Sequence, residues 1–144
     1  MAAPVAAYVP AVRVGDLVYS SGQLPTVAGE LVARGKVGAE VTAEVGADCA
    51  RTAVLNALAA VSAQAGDVDE IEQVVRVVIF VASAPEFTGQ PQVGNGASEL
   101  LGEIFGDAGR HARSAVGVAV LPLDAPVEVE LVVRLRSRPG VVPA

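Results

Sequence analysis

The chain has 144 residues, 16 acidic against 10 basic, for a formal net charge of −6. That length suits one domain with a real core, and 52% hydrophobic but only 3% aromatic residues make it a core of Val, Ala and Leu. An acidic surface with no basic run argues against nucleic-acid or anionic-membrane partners and favours a small polar ligand, while a single Cys and a single His exclude an intrachain disulfide or a His/Cys metal cluster.

The opening MAAPVAAYVPAV is apolar, but it lacks a basic start and is cut by Pro4 and Pro10, so it is not read as a signal peptide. No uncharged run reaches the ~18 residues of a membrane span. The expected location is the cytoplasm. Val12–Val14 and Leu17–Ser21 read as short strands around a Gly15-Asp16 turn. The run SSGQLP leaves the second strand through Gly22 and Pro25, and the Ala28-Gly29 turn signal places a third strand near Leu31–Ala33. GKVG, residues 35–38, is a loop.

Thr42 can cap a helix that Gly66 ends. Between them Ala47, Ala50, Val54, Leu58 and Val61 repeat at three and four, one helical face. Val74–Ala82 is almost continuously apolar and β-branched, as in a strand covered on both faces. Ser83–Gly94 reads as a loop, and Ala97–Phe105 as a shorter helix closed by Gly106. Ser114–Val120 and Val127–Leu135 are the last strands, and 137–144 is a C-terminal tail. The order predicts an α+β fold, with two helices on one face of a mixed sheet and an open face that needs a partner. Self-association would also supplement the aromatic-poor core.

Two charged residues stand out in the mostly apolar stretch HARSAVGVAVLPLDAPVEVELVV, 111–133. Arg113 shares the parity of Ala115, Gly117 and Ala119, so its guanidinium projects beside a face of nearly absent side chains. Such a planar fork matches a carboxylate with two parallel hydrogen bonds. Glu128 shares a polar strand face with Glu130, and a glutamate can hold or activate a water. A neighbouring like charge raises a carboxylate pKa, whereas Arg134 or Arg136 nearby would lower it, and periodicity leaves the sign open. Solvated charges or a surface ion pair would produce the same pattern.

ARSAVGVAVLP followed shortly by VEVE resembles the C-terminal signature of the RidA (YjgF) family of enamine/imine deaminases. The resemblance continues in order through Tyr8, seven residues before Gly15, then SSGQLP, Ala50-Arg51 and Asn56, the VRVVIFVAS strand, and Phe87. It spans roughly 8–136, most of a single domain over 1–144. It implies a chorismate-mutase-like (RidA-like) α+β fold, assembled as a homotrimer with ligand clefts between subunits. The implied reaction is water attack on a 2-imino or enamine acid, releasing a 2-oxo acid and ammonia without a cofactor or metal. By position, Arg113 matches the arginine that grips the substrate carboxylate and Glu128 the residue that orients the water. Tyr8 matches a cleft tyrosine, and Ser21 and Gly22 the loop lining the pocket. Where many members carry a cysteine two residues after the arginine, this chain has Ala115. The segment from Phe87 to Phe105 is longer than usual, so the family's cleft asparagine corresponds to Asn95 or falls near Ser98. His111, two residues before Arg113, could face the cleft, but as a lone loop histidine it is read as solvent-facing. A non-catalytic trimer that binds a small carboxylate is the alternative function; a ribonuclease is disfavoured by the charge.

Overall fold

The structure is a computed structural model that describes residues 7–137. Five strands form one sheet: β1 (Ala11–Val14), β2 (Leu17–Ser20), β5 (Ile71–Ala82), β6 (Ala112–Val118) and β7 (Val127–Leu135). Their order across the sheet is β1-β2-β7-β5-β6, all antiparallel except the β5–β6 pair. β3 (Thr26–Val27) and β4 (Glu30–Leu31) pair only with each other. The strand expected at Leu31–Ala33 is thus a two-residue arm of a separate hairpin, turned by Ala28 and Gly29 at φ 53° and 82°. Positive φ at both central residues is the geometry that tight hairpins favour.

Both helices pack on the same face of the sheet, an α+β arrangement as expected. α1 (Ala43–Ala65) begins where Thr42 Oγ1 accepts from Val45 N at 3.2 Å and ends at Gly66, whose φ is +96°. Its buried stripe of Ala50, Val54, Leu58 and Val61 meets Val18, Val129, Leu131 and Val133 of the sheet. Cys49 is buried in this layer, and burial pushes its thiol up to about 11, with Asp48 adding to the rise.

α2 (Gln90–Phe105) starts seven residues earlier than the apolar spacing suggests. Pro91 is tolerated in the first turn, where backbone N–H groups lack intrahelical partners. Gly94 and Gly96, which lower intrinsic helix propensity, are instead packing residues. A Cβ on Gly96 would lie 2.0 Å from the Ala47 carbonyl oxygen, so the two helices touch backbone to backbone there. Asn95 therefore sits on a helix and not at a turn.

β5 begins at Ile71, and its burial alternates: Val74, Val77, Ile79 and Val81 are buried under the helices. Arg76, Val78 and Phe80 point to the other face and are only partly covered or exposed. One copy of the chain therefore covers this strand on one side only, not on both. The register puts Val12, Tyr19, Val132, Val78, Phe80 and Val116 on the same open face, together with Glu128, Glu130, and Arg76, whose guanidinium donates to Ser114 Oγ at 3.0 Å. Its apolar side chains are thus interspersed with charges of both signs. Of the expected tail 137–144, only Ser137 lies within the described residues, where its Oγ donates to Asp16; the first six residues also lie outside them.

Candidate active site

Arg113 lies within β6, opposite buried Val77 of β5, which aims its side chain at the helical face. The small-residue face noted in the sequence is covered by α2: a Cβ on Gly94 would meet Arg113 Nη1 at 3.3 Å and Ala115 Cβ at 3.4 Å. Asn95 and Ser98, three apart on α2, share one side of the helix. Arg113 Nη1 donates to Asn95 Oδ1 at 2.8 Å and to Ser98 Oγ at 3.2 Å. Both candidates for the cleft position thus hold the same guanidinium. Among the described residues Arg51, Arg110 and Arg134 each meet a carboxylate, while Arg113, like Arg13, Arg34, Arg76 and Arg136, bonds to neutral oxygens and is distinguished by its two side-chain acceptors.

His111 is half-buried and not solvent-facing, a correction to the sequence reading. Its Nδ1 lies 2.6 Å from Gly109 O and its Nε2 2.9 Å from Ser98 Oγ. Residues 111 and 113 project to the same side of an extended chain, but the Ser98 contact that decides the placement comes from the packing of α2 on the sheet.

Glu128 opposes Phe80 in the β5–β7 register and points to the open face. Its side chain lies over Gly22, where a Cβ would come 2.8 Å from Glu128 Cδ. Burial, and then the charge of Glu130, hold its carboxyl above the ordinary range. Arg134, which could have opposed this, is taken by Glu72 at 2.9 Å. Ser21 joins the same corner by tying the N-terminal segment down: its N–H donates to Pro10 O at 2.7 Å and its Oγ to Val9 O at 2.6 Å. Tyr8, just before that tie, is 48% exposed.

The predicted site residues therefore form two groups. Arg113 and Asn95 gather with Ser98 and His111 on the helical face, at the edge of the sheet. Glu128, Gly22 and Ser21 gather at the open face, with Tyr8 just upstream. Two strand spacings, roughly 10 Å, separate β6 from β7. Two surface depressions of about 490 and 450 Å³ are lined by neither Arg113 nor Glu128. Among the described residues no cluster of His, Cys, Asp and Glu could hold a metal ion, and no helix is long and apolar enough to cross a membrane.

Residues 1–135 match the model of a protein family described as "YjgF/chorismate_mutase-like, putative endoribonuclease". The chain belongs to the YjgF family. It is 44% identical over 139 residues to Protein TCP17 of Trypanosoma cruzi, covering 94% of this chain and 86% of that one. It is 35% identical over 130 residues to a 2-iminobutanoate/2-iminopropanoate deaminase of Dermatophagoides farinae, covering 90% of this chain and 87% of that protein. Among solved structures, Atu1372 of Agrobacterium tumefaciens, a protein of unknown function, superposes with a TM-score of 0.86 at 43% identity, covering 89% of this chain and 82% of that one. The α+β fold of a sheet with two helices is thus the YjgF, chorismate-mutase-like fold expected from ARSAVGVAVLP and VEVE.

Proposed function

We infer that the chain hydrolyses small 2-imino or enamine acids to 2-oxo acids and ammonia, in clefts between the subunits of a homotrimer. The observation that carries this reading is the state of Arg113. It is half-buried, fixed by two neutral acceptors, Asn95 and Ser98, and without a carboxylate partner among the described residues. A half-buried cation immobilised in that way is suited to receive an anion, and a guanidinium receives a carboxylate in bidentate fashion. The family relationship to an iminobutanoate deaminase supplies the class of acid.

Glu128 serves as the group that orients the attacking water, its carboxyl held above the ordinary range by burial and then by Glu130. Because Arg113 and Glu128 lie on opposite sheet faces, one substrate meets both only if they come from different copies. The open face with its exposed apolar side chains supports the same arrangement, since a second copy would bury it. Tyr8, Ser21 and Gly22 accompany Glu128 into that cleft. No cofactor enters this chemistry.

The test is a coupled assay on freshly generated 2-iminobutanoate. Wild type is expected to accelerate hydrolysis, and Arg113→Ala to lower kcat/KM by about 10–100-fold, the value of a charge-assisted hydrogen-bonded contact. Equal rates for the two proteins would overturn the assignment. If 2-oxobutanoate binds through Arg113 without any rate to lose, the chain is instead a carboxylate-binding protein.

A further inference from the structure

Beside the carboxylate clamp runs a chain of hydrogen bonds that clamping alone does not require. Gly109 O can only accept, so the 2.6 Å contact places the imidazole proton of neutral His111 on Nδ1. Nε2 is then the basic nitrogen, and Ser98 O–H donates to it at 2.9 Å. A lone pair of the same Ser98 oxygen accepts from Arg113 Nη1 at 3.2 Å. The orienting carbonyl is itself held in place: a Cβ on Gly109 would lie 2.3 Å from Leu101 O, so this turn packs against α2 as closely as glycine permits. A hydroxyl, a base and a fixed acceptor behind the base are the parts of an acid–base relay.

We propose that Ser98 and His111 form a proton relay at the Arg113 clamp, one that moves protons from oxygen to nitrogen during imine hydrolysis. The proposal rests on the deaminase reading and adds to it the groups that carry the protons. A substrate carboxylate on Arg113 brings C2 and the imino nitrogen next to Ser98 Oγ. As water adds, its oxygen bonds to C2 and the C=N π pair moves to nitrogen. Ser98 takes the water's proton while passing its own to His111 Nε2, and the reverse transfer delivers a proton to nitrogen. In the second half the hydroxyl proton travels the same way, the C=O forms, and the C–N pair leaves with ammonia. Each half shifts one proton, and the relay ends as it began. Ser98 touches the substrate; His111 acts through it as a positioning and storage group for the proton. Glu128 orients the water and need not change its own protonation.

Ser98→Ala and His111→Gln should each lower kcat on 2-iminobutanoate about 100-fold, as for loss of a general acid–base group, with KM changed less than about threefold. Arg113→Ala should instead raise KM. The double variant should be no slower than the worse single one, because the two act as a unit. A His111→Gln enzyme with full kcat, or losses that multiply, would overturn the relay while leaving the deaminase standing. Since His111 is the chain's only histidine, ¹⁵N NMR of its ring provides a readout independent of activity. An unprotonated Nε2 is expected in the neutral ring, its resonance moving in Ser98→Ala and on adding 2-oxobutanoate, the latter response being lost in Arg113→Ala. If wild type fails to hydrolyse imines, the functional reading falls, and a ring insensitive to both changes would remove the relay with it.

Discussion

Arg113 and Glu128 project from opposite faces of one sheet, with β5 between their strands. Arg113 opposes Val77 beneath α2, while Glu128 opposes Phe80 on the uncovered side. The cation is held by helix side chains, while the carboxylate lies over Gly22. Neither group neutralises the other, so each keeps its chemistry for something that arrives. Under the proposed deaminase reading, that separation calls for the two residues to come from different copies.

The contact between Gly22 and Glu128 predicts a functional lesion with little structural cost. In Gly22→Ala the new methyl would lie 2.8 Å from Glu128 Cδ and 3.1 Å from Oε2. The far end of a glutamate can swing away, so folding should lose less than about 1 kcal/mol. The water-orienting carboxylate would be displaced by about 1 Å, a shift that can cost up to ~100-fold in rate. Deaminase kinetics and thermal denaturation of the same protein check this: kcat should fall at least tenfold while Tm holds within a few degrees. A wild-type kcat would mean that the position of Glu128 is immaterial to the rate.

Glu128 also leaves a signature in stability against pH. Its folded-state pKa is raised, first by burial and then by Glu130, so the folded protein holds this proton more tightly than the unfolded chain. Its contribution favours folding below the ordinary carboxylate range and is lost as pH rises through the elevated folded value. At neutral pH the ionised group is therefore a small liability, on the order of 1 kcal/mol or less at a half-exposed site. Glu128→Gln should raise Tm by up to a few degrees at pH 7 and by nothing at pH 3.5. A variant less stable than wild type at pH 7 would contradict this sign.

Much of this fold was legible from local pattern. The 3.6-residue stripe of α1, with Thr42 before it and Gly66 after, and the period-2 alternation of β7 are signals contained in a few consecutive residues. The start of α2 was hidden because Pro91, Gly94 and Gly96 read locally as loop, and only the neighbouring Ala47 backbone explains why glycine is needed there. β5 looked covered on both faces because Val78 and Phe80 on its open side are apolar, and among the described residues no element packs over that side. Arg113 and Glu128 were identifiable as residues, but their opposed faces depend on a register running through three strands. His111 was misread because its partner, Ser98, is brought to it by the packing of α2 on the sheet, a long-range contact invisible to spacing.

The same close helix contact predicts a sharp contrast between two glycines of α2. Gly96→Ala gains about 1 kcal/mol of helix propensity but must push a backbone carbonyl from 2.0 Å to van der Waals distance. Backbone cannot rotate away as a side chain can, and overpacking of this kind costs roughly 1–3 kcal/mol or more. At Gly102, by contrast, an added Cβ meets nothing within 4 Å. Calorimetry should find Gly96→Ala about 5–10 °C less stable and Gly102→Ala equal to wild type or a few degrees more stable. Equal melting of the two variants would show that α1 and α2 are not in backbone contact at Ala47.

The intersubunit reading is most directly examined by mixing two impaired proteins, assayed at a substrate level where each falls well below a quarter of wild-type activity. Arg113→Ala retains Glu128, and Glu128→Gln retains Arg113, so each homotrimer lacks one group at all of its clefts. After co-refolding, subunits mix at random in a closed ring, where each cleft takes its arginine from one copy and its glutamate from the next. About one cleft in four then carries both wild-type groups, since each neighbour supplies the right one half the time. Sedimentation should report a trimer for all species, and the refolded mixture should recover about a quarter of the wild-type activity that neither parent shows. Were both residues supplied by one chain to one cleft, no hybrid could contain an intact site. A trimer that stays at the parental level after mixing would therefore place the reacting pair within a single copy, against the opposed faces of this sheet.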